Sequence, residues 1–117
     1  MKQSTLAGKV VVITGASNGI GRETAILFAK EGCKLAITYN KGEKEAQETA
    51  KQCVELGSLG VLVVKLDVRE YNSIKSAVKQ IISKYAEIDV LINNAGVIDW
   101  KPFDEQSILS IQNQELL

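Results

Sequence analysis

Residues 10–21 read VVVITGASNGIG, a β-branched run that gives way abruptly to small residues and glycines. Four consecutive branched residues, Val10 to Ile13, suit a central parallel strand covered by helices on both faces. Thr14 and Gly15 end that strand. Gly15, Gly19 and Gly21 then fall where a chain turns tightly, lets a ligand approach without a Cβ in the way, and starts a helix packed close to a sheet. The helix predicted to open near Gly19 and Ile20 aims unpaired N–H groups and the positive end of its dipole at whatever fills the turn. A pyrophosphate fits that description. The spacing Gly-x-x-x-Gly-x-Gly differs from the commoner Gly-x-Gly-x-x-Gly fingerprint, and a purely structural turn is the alternative. Context gives the pattern its weight: a strand before it, a helix after it with Ile20, Thr24, Leu27 and Phe28 read as one face, and a second strand beyond.

Strand and helix patterns alternate along the whole chain, which predicts βαβ units and a parallel sheet, that is, an α/β fold. Lys34 to Tyr39 reads as the second strand after a helix stop at Gly32. Glu43 to Leu56 reads as a helix with Ala46, Ala50, Cys53 and Val54 inward, and Val61 to Leu66 as the third strand, closing in Asp67. Asn72 or Ser73 is the expected cap of a third helix whose stripe is Ile74, Ala77, Val78, Ile81, Ile82 and Tyr85. Ile88 to Ile92 is the fourth strand, broken by Asn93, Asn94, Ala95 and Gly96. Right-handed crossovers give the strand order 3-2-1-4. The reversal between strands one and four then sets Gly15 to Gly21 and Asn93 to Gly96 on either side of one crevice, with Asp67 at the same sheet edge.

At 117 residues the chain is one small domain, with 14 basic and 14 acidic residues. That balance gives no global field for nucleic acid or an anionic membrane, and neither is expected as a partner. The first residues lack the apolar core of a signal peptide, and no stretch approaches a membrane span, so a cytoplasmic location is expected. Without any histidine, a His-ligated metal and a Ser-His-Asp or Cys-His nucleophile are excluded for this chain, and no metal site is expected. Cys33 and Cys53 are isolated thiols read as buried, reduced packing residues.

TGASNGIG at 14–21, LDV at 66–68 and NNAG at 93–96 follow one another in the order and spacing of a known family. On these motifs the chain, from Leu6 onward, resembles the short-chain dehydrogenase/reductases. The resemblance implies a Rossmann-type doubly wound sheet and hydride transfer between a nicotinamide and a carbonyl or alcohol carbon. It implies that Gly15, Ser17, Asn18, Gly19, Ile20 and Gly21 wrap the cofactor's pyrophosphate and adjoining ribose. Asp67 would meet the adenine amino group, with Val68 contributing backbone contacts beside it. Asn93, Ala95 and Gly96 would lie along the adenosine side, with Asn94 partly structural; the alternative is that the asparagine pair only satisfies buried backbone groups.

Cofactor choice turns on the end of strand two, where an acidic residue about 20 positions past the glycines would hold the 2′-hydroxyl of NAD. That place reads Thr38, Tyr39, Asn40, Lys41. No carboxylate stands there to repel a 2′-phosphate, and Thr38, Asn40 and Lys41 could each donate to it, so NADP is favoured with NAD the alternative. The family's usual arginine is missing, and Lys41 reads equally as a solvated loop charge.

The family's chemistry also needs a serine and a Tyr-x-x-x-Lys pair, which normally lie beyond the stretch covered here, so no catalytic residue is assigned. Tyr71 and Lys75 fit that spacing but begin the helix after strand three, a coincidence of pattern. Trp100, Pro102 and Phe103 follow NNAG, and Ser107 to Leu117 reads as a further helix. The chain is therefore read as a cofactor-binding half, truncated after the fourth strand and that helix. It is expected to self-associate, to be marginally stable, and to turn over no carbonyl or alcohol substrate alone. Tyr39-Asn40 and the lysines nearby are similar to 3-oxoacyl carrier-protein reductases. The competing readings are a non-catalytic dinucleotide-binding or interaction module of the same descent and, more weakly, a flavodoxin-like domain.

Overall fold

The structure, a computed structural model, describes residues 5–94. Four strands form one parallel sheet in the order β3-β2-β1-β4: β1 is Val10–Ile13, β2 is Lys34–Tyr39, β3 is Gly60–Lys65 and β4 is Val90–Ile92. The crossovers are α1, Gly19–Lys30, α2, Glu43–Glu55, and α3, Tyr71–Tyr85. The anticipated order 3-2-1-4 is the observed one. The helix expected at Ser107 to Leu117 lies outside the described residues.

Strand alternation sorts the core into two layers. On one face Val11, Ile13, Leu35 and Ile37 pack with Ala25, Ala29, Ala50 and Cys53 from α1 and α2. On the other, Val12, Ala36 and Val64 pack with Ile74, Ala77 and Ile81 of α3. All four residues of β1 are buried, because α1 and α2 cover one face and α3 the other.

The inner faces of the helices differ from the sequence reading. In α1 the buried residues are Gly21, Ala25 and Ala29, whereas Ile20 is 77% and Leu27 63% exposed. Small side chains four apart let this helix lie close to the sheet, while Phe28, read as inward, does pack against the core, together with Ile26. In α2, Thr49 is buried and Val54 is turned outward. Thr49 could be buried because its hydroxyl is satisfied, donating to the Glu45 carbonyl at 3.1 Å. In α3, Ile82 is exposed, whereas Tyr85 packs against the core as read and donates its hydroxyl to the Leu35 carbonyl at 2.9 Å.

The helix starts and strand bounds also carry corrections. Ser73 lies inside α3, not at its cap, and its Oγ accepts the Asp67 N–H at 2.8 Å, fastening the loop after β3 to the helix. Asp89 precedes β4. Its carboxylate accepts the Val10 N–H at 2.8 Å while its own N–H donates to the Val10 carbonyl at 2.9 Å, fixing the start of β4 against β1. Among the described residues β4 pairs on one side only, with β1, and Leu91 is 38% exposed. No described helix is long and apolar enough to cross a membrane.

Cys33 and Cys53 are both buried and free. Burial pushes the Cys53 thiol up to about 11. Burial, with the charge of Glu31 second, raises Cys33 as well. Both are protonated at neutral pH, so neither is a ready nucleophile or metal ligand. Among the described residues no group of three or more Cys, Asp or Glu could hold a metal ion.

Candidate functional site

Because the chain runs from β1 outward to β2 and β3, then returns to place β4 on the other side of β1, the switch point lies between β1 and β4. Ligands of open parallel sheets bind beyond the carboxyl ends of the strands at that point. The turn Thr14–Asn18 leaves β1 there, and Asn93 and Asn94 leave β4 beside it.

Three strand ends hold the turn. Thr14, 1% exposed, donates its backbone N–H to the Ile92 carbonyl at 3.0 Å, and its Oγ1 lies 3.1 Å from Asn93 Oδ1 and accepts the Asn94 N–H at 2.9 Å. Asn94 Nδ2 donates to the Gly15 carbonyl at 3.0 Å. From β2, Thr38 accepts the Ala16 N–H on its carbonyl at 3.0 Å and the Gly15 N–H on its Oγ1 at 3.3 Å. Asn93 and Asn94 thus do satisfy backbone and turn groups, the structural half of the role expected of them. Thr38 is a correction: it is 1% exposed and committed to the turn, so it is no donor for a 2′-phosphate.

The helix that follows is open to an anion. Asn18 stands at the N-cap of α1 without a side-chain capping bond, and the first turn carries no acidic residue. Gly19 has φ +59° and open space where a Cβ would stand. Gly21 is required by contact: a Cβ there would lie 2.1 Å from the Gly15 carbonyl oxygen and 2.7 Å from Asn94 Nδ2. That close approach draws the start of α1 onto the turn, so the unpaired N–H groups and the turn backbone face one space. Ile20, exposed beside them, is outside the core.

At the neighbouring strand ends, Asp67 is part-buried. Hydrogen bonds from the Arg69 side chain, Nε at 3.1 Å, and from its backbone N–H at 3.0 Å hold the carboxyl below the usual carboxylate range. It is therefore ionised at neutral pH and can accept from an amino group. Val68 packs its side chain on the α3 layer. Beyond β2, Tyr39 is half-buried while Asn40 and Lys41 are exposed. Partial burial and, second, the negative charge of the adjoining Glu43 carboxylate raise the Tyr39 phenol. Glu43 is an acid near this position that reading the strand end alone did not weigh. Ala95 and Gly96 lie outside the described residues.

Reading the sequence alone missed Arg22. Its Nε donates to Thr49 Oγ1 at 2.8 Å, and its Nη2 to the carbonyls of Ser17 at 2.8 Å and Glu45 at 3.0 Å. The available signal was a cation in the first turn of a helix, where the dipole disfavours it unless it has partners. Tyr71, which fits the Tyr-x-x-x-Lys spacing, sits at the first position of α3 and is 65% exposed.

Fold and site together define a doubly wound α/β chain with a glycine turn at its switch point. The family model for short chain dehydrogenases matches residues 9–114. The chain is 38% identical over 111 residues to the oxidoreductase YhdF of Bacillus subtilis, covering 95% of this chain and 37% of that protein. It is 40% identical over 100 residues to 11-beta-hydroxysteroid dehydrogenase A of Sesamum indicum, covering 86% and 28% respectively. Hydroxysteroid dehydrogenase of Escherichia coli superposes with a TM-score of 0.80 at 28% identity, over 95% of this chain and 51% of that one. The chain belongs to the short-chain dehydrogenase family. It spans 37% and 28% of the length of those two curated relatives.

Proposed function

We propose that this chain is the dinucleotide-binding portion of an NADP-dependent oxidoreductase that moves hydride between a nicotinamide and a carbonyl or alcohol carbon. The observation that carries the reading is the Gly15–Gly21 approach at the switch point, which sets an uncapped, acid-free helix start against the turn. The bound dinucleotide would supply the hydride chemistry, and these residues supply binding and orientation. Gly15, Ser17, Asn18, Gly19, Ile20 and Gly21 hold the pyrophosphate and ribose. Asp67 accepts from the adenine amino group with Val68 beside it, and Asn93 lies along the adenosine side, with Asn94 partly structural. Substrate and turnover belong to the protein as a whole. Self-association is part of this reading: among the described residues β4 pairs only with β1, and Leu91 is exposed there.

NADP is preferred over NAD because Asn40 and Lys41 are exposed past Tyr39 and can donate to a 2′-phosphate. A charge-assisted bond contributes about 1.5–3 kcal/mol, so NADPH is expected to bind about tenfold or more tighter than NADH. Parallel fluorescence titrations test this. Equal affinities would remove the NADP preference, and binding of neither would remove the dinucleotide reading.

A further inference from the structure

We propose that Arg22 is a positioning residue for the phosphate-binding turn, acting through the Ser17 carbonyl. This rests on the dinucleotide reading of that turn. The guanidinium is half-buried between α1 and α2 and uses Nε and Nη2 on three acceptors: Thr49 Oγ1, the Glu45 carbonyl and the Ser17 carbonyl. Thr49 is fully buried, and its hydroxyl, while accepting from Arg22, donates to the Glu45 carbonyl. The arginine is therefore fixed on α2 through a satisfied network, and Ser17 is fixed on the arginine.

The consequence follows from peptide geometry. The described chain has no cis peptide bond, and in a planar trans peptide the C=O and the following N–H point in opposite directions. Holding the Ser17 carbonyl toward Arg22 and α2 turns the Asn18 N–H to the other side. Were that peptide to flip, an acceptor would replace a donor beside the helix start, where an anion is to bind. Arg22 removes the flipped state. A lysine would keep the charge without the planar fork that reaches several acceptors at once.

The same network joins two parts of the site. Ser17 also faces the loop after β2: a Cβ placed on Gly42 would lie 3.4 Å from its side chain. The segment Tyr39 to Gly42 leads directly into α2, the helix on which Arg22 is held. Phosphate turn and 2′-end loop are thus braced against one another through Arg22 and Thr49.

The test combines NADPH titration with backbone ¹⁵N relaxation on the full chain, for the unsubstituted protein, Arg22→Ala, Arg22→Lys and Thr49→Val. With Arg22→Ala, NADPH binding is expected to weaken about tenfold or more, and order parameters at Ser17, Asn18 and Gly19 to fall from about 0.85 toward about 0.6, while β1 and β2 keep theirs. Arg22→Lys should restore both in part and together. Thr49→Val, which keeps the side-chain shape and removes one acceptor, should shift both in the same direction by less. A turn as ordered in Arg22→Ala as in the unsubstituted chain overturns the proposal, as does Arg22→Lys restoring affinity while the turn stays loose. Should Arg22→Ala not fold, an unchanged turn in Thr49→Val overturns it instead. If the unsubstituted chain does not bind NADPH, the dinucleotide reading fails, and the ligand-free relaxation comparison still decides on Arg22.

Discussion

Gly21→Ala is expected to abolish dinucleotide binding and to destabilise the fold by about 3 kcal/mol, at the upper end of overpacking costs. The added methyl would stand 2.1 Å from the Gly15 carbonyl oxygen and 2.8 Å from its carbon. Those atoms are backbone, and the same carbonyl is held by Asn94 Nδ2 at 3.0 Å, so the turn cannot yield without releasing β4. The helix must back away instead, and its N–H groups leave the turn. Gly19→Ala makes the informative contrast. A Cβ there meets nothing, so the cost is the left-handed backbone alone, about 1–2 kcal/mol. That variant should keep its fold by circular dichroism yet lose affinity, because the open space it enters is the space assigned to the ligand. Gly21→Ala binding normally would remove the close approach from the account.

Thr14→Val is expected to be the most damaging substitution that leaves side-chain shape intact. Its Oγ1 accepts from the Asn94 N–H at 2.9 Å and lies 3.1 Å from Asn93 Oδ1, in a position 1% exposed. A methyl in its place leaves a part-buried donor without that acceptor, at about 1–3 kcal/mol. For a domain of this size that is a fall in Tm of about 10 °C at fixed protein concentration. Thr14→Ser, which keeps the hydroxyl, should recover most of the loss. Equal melting of Thr14→Val and the unsubstituted chain would show that the β1–β4 clamp adds nothing to stability.

The sheet was legible because its signals are local and redundant. Val10 to Ile13 could only be a covered strand, and alternating elements with right-handed crossovers left one strand order. The glycine turn was legible for the same reason: spacing, strand and helix agree there. The inner faces were less so. Hydropathy placed Ile20 and Leu27 inward, but the buried positions are Gly21, Ala25 and Ala29, with Ile26 and Phe28 packed against the core beside them. Thr49 was passed over and Thr38 misread because a hydroxyl's burial depends on partners distant in sequence, here Arg22 and the turn amides. Ser73 and Asp89 likewise bond across loops, and no local rule for caps or strands records such bonds.

The turn between β1 and α1 is proposed to receive the phosphates of a dinucleotide. The most direct measurement is a ¹⁵N–¹H correlation spectrum of the full chain titrated with NADP. The amides of Gly15 to Gly21 should move together, in a saturable manner, with Asn93 and Asn94 following and the outer face of α3 unmoved. Saturable shifts confined to α3 or the β3 edge, or no shifts with NADP at millimolar concentration, would contradict it.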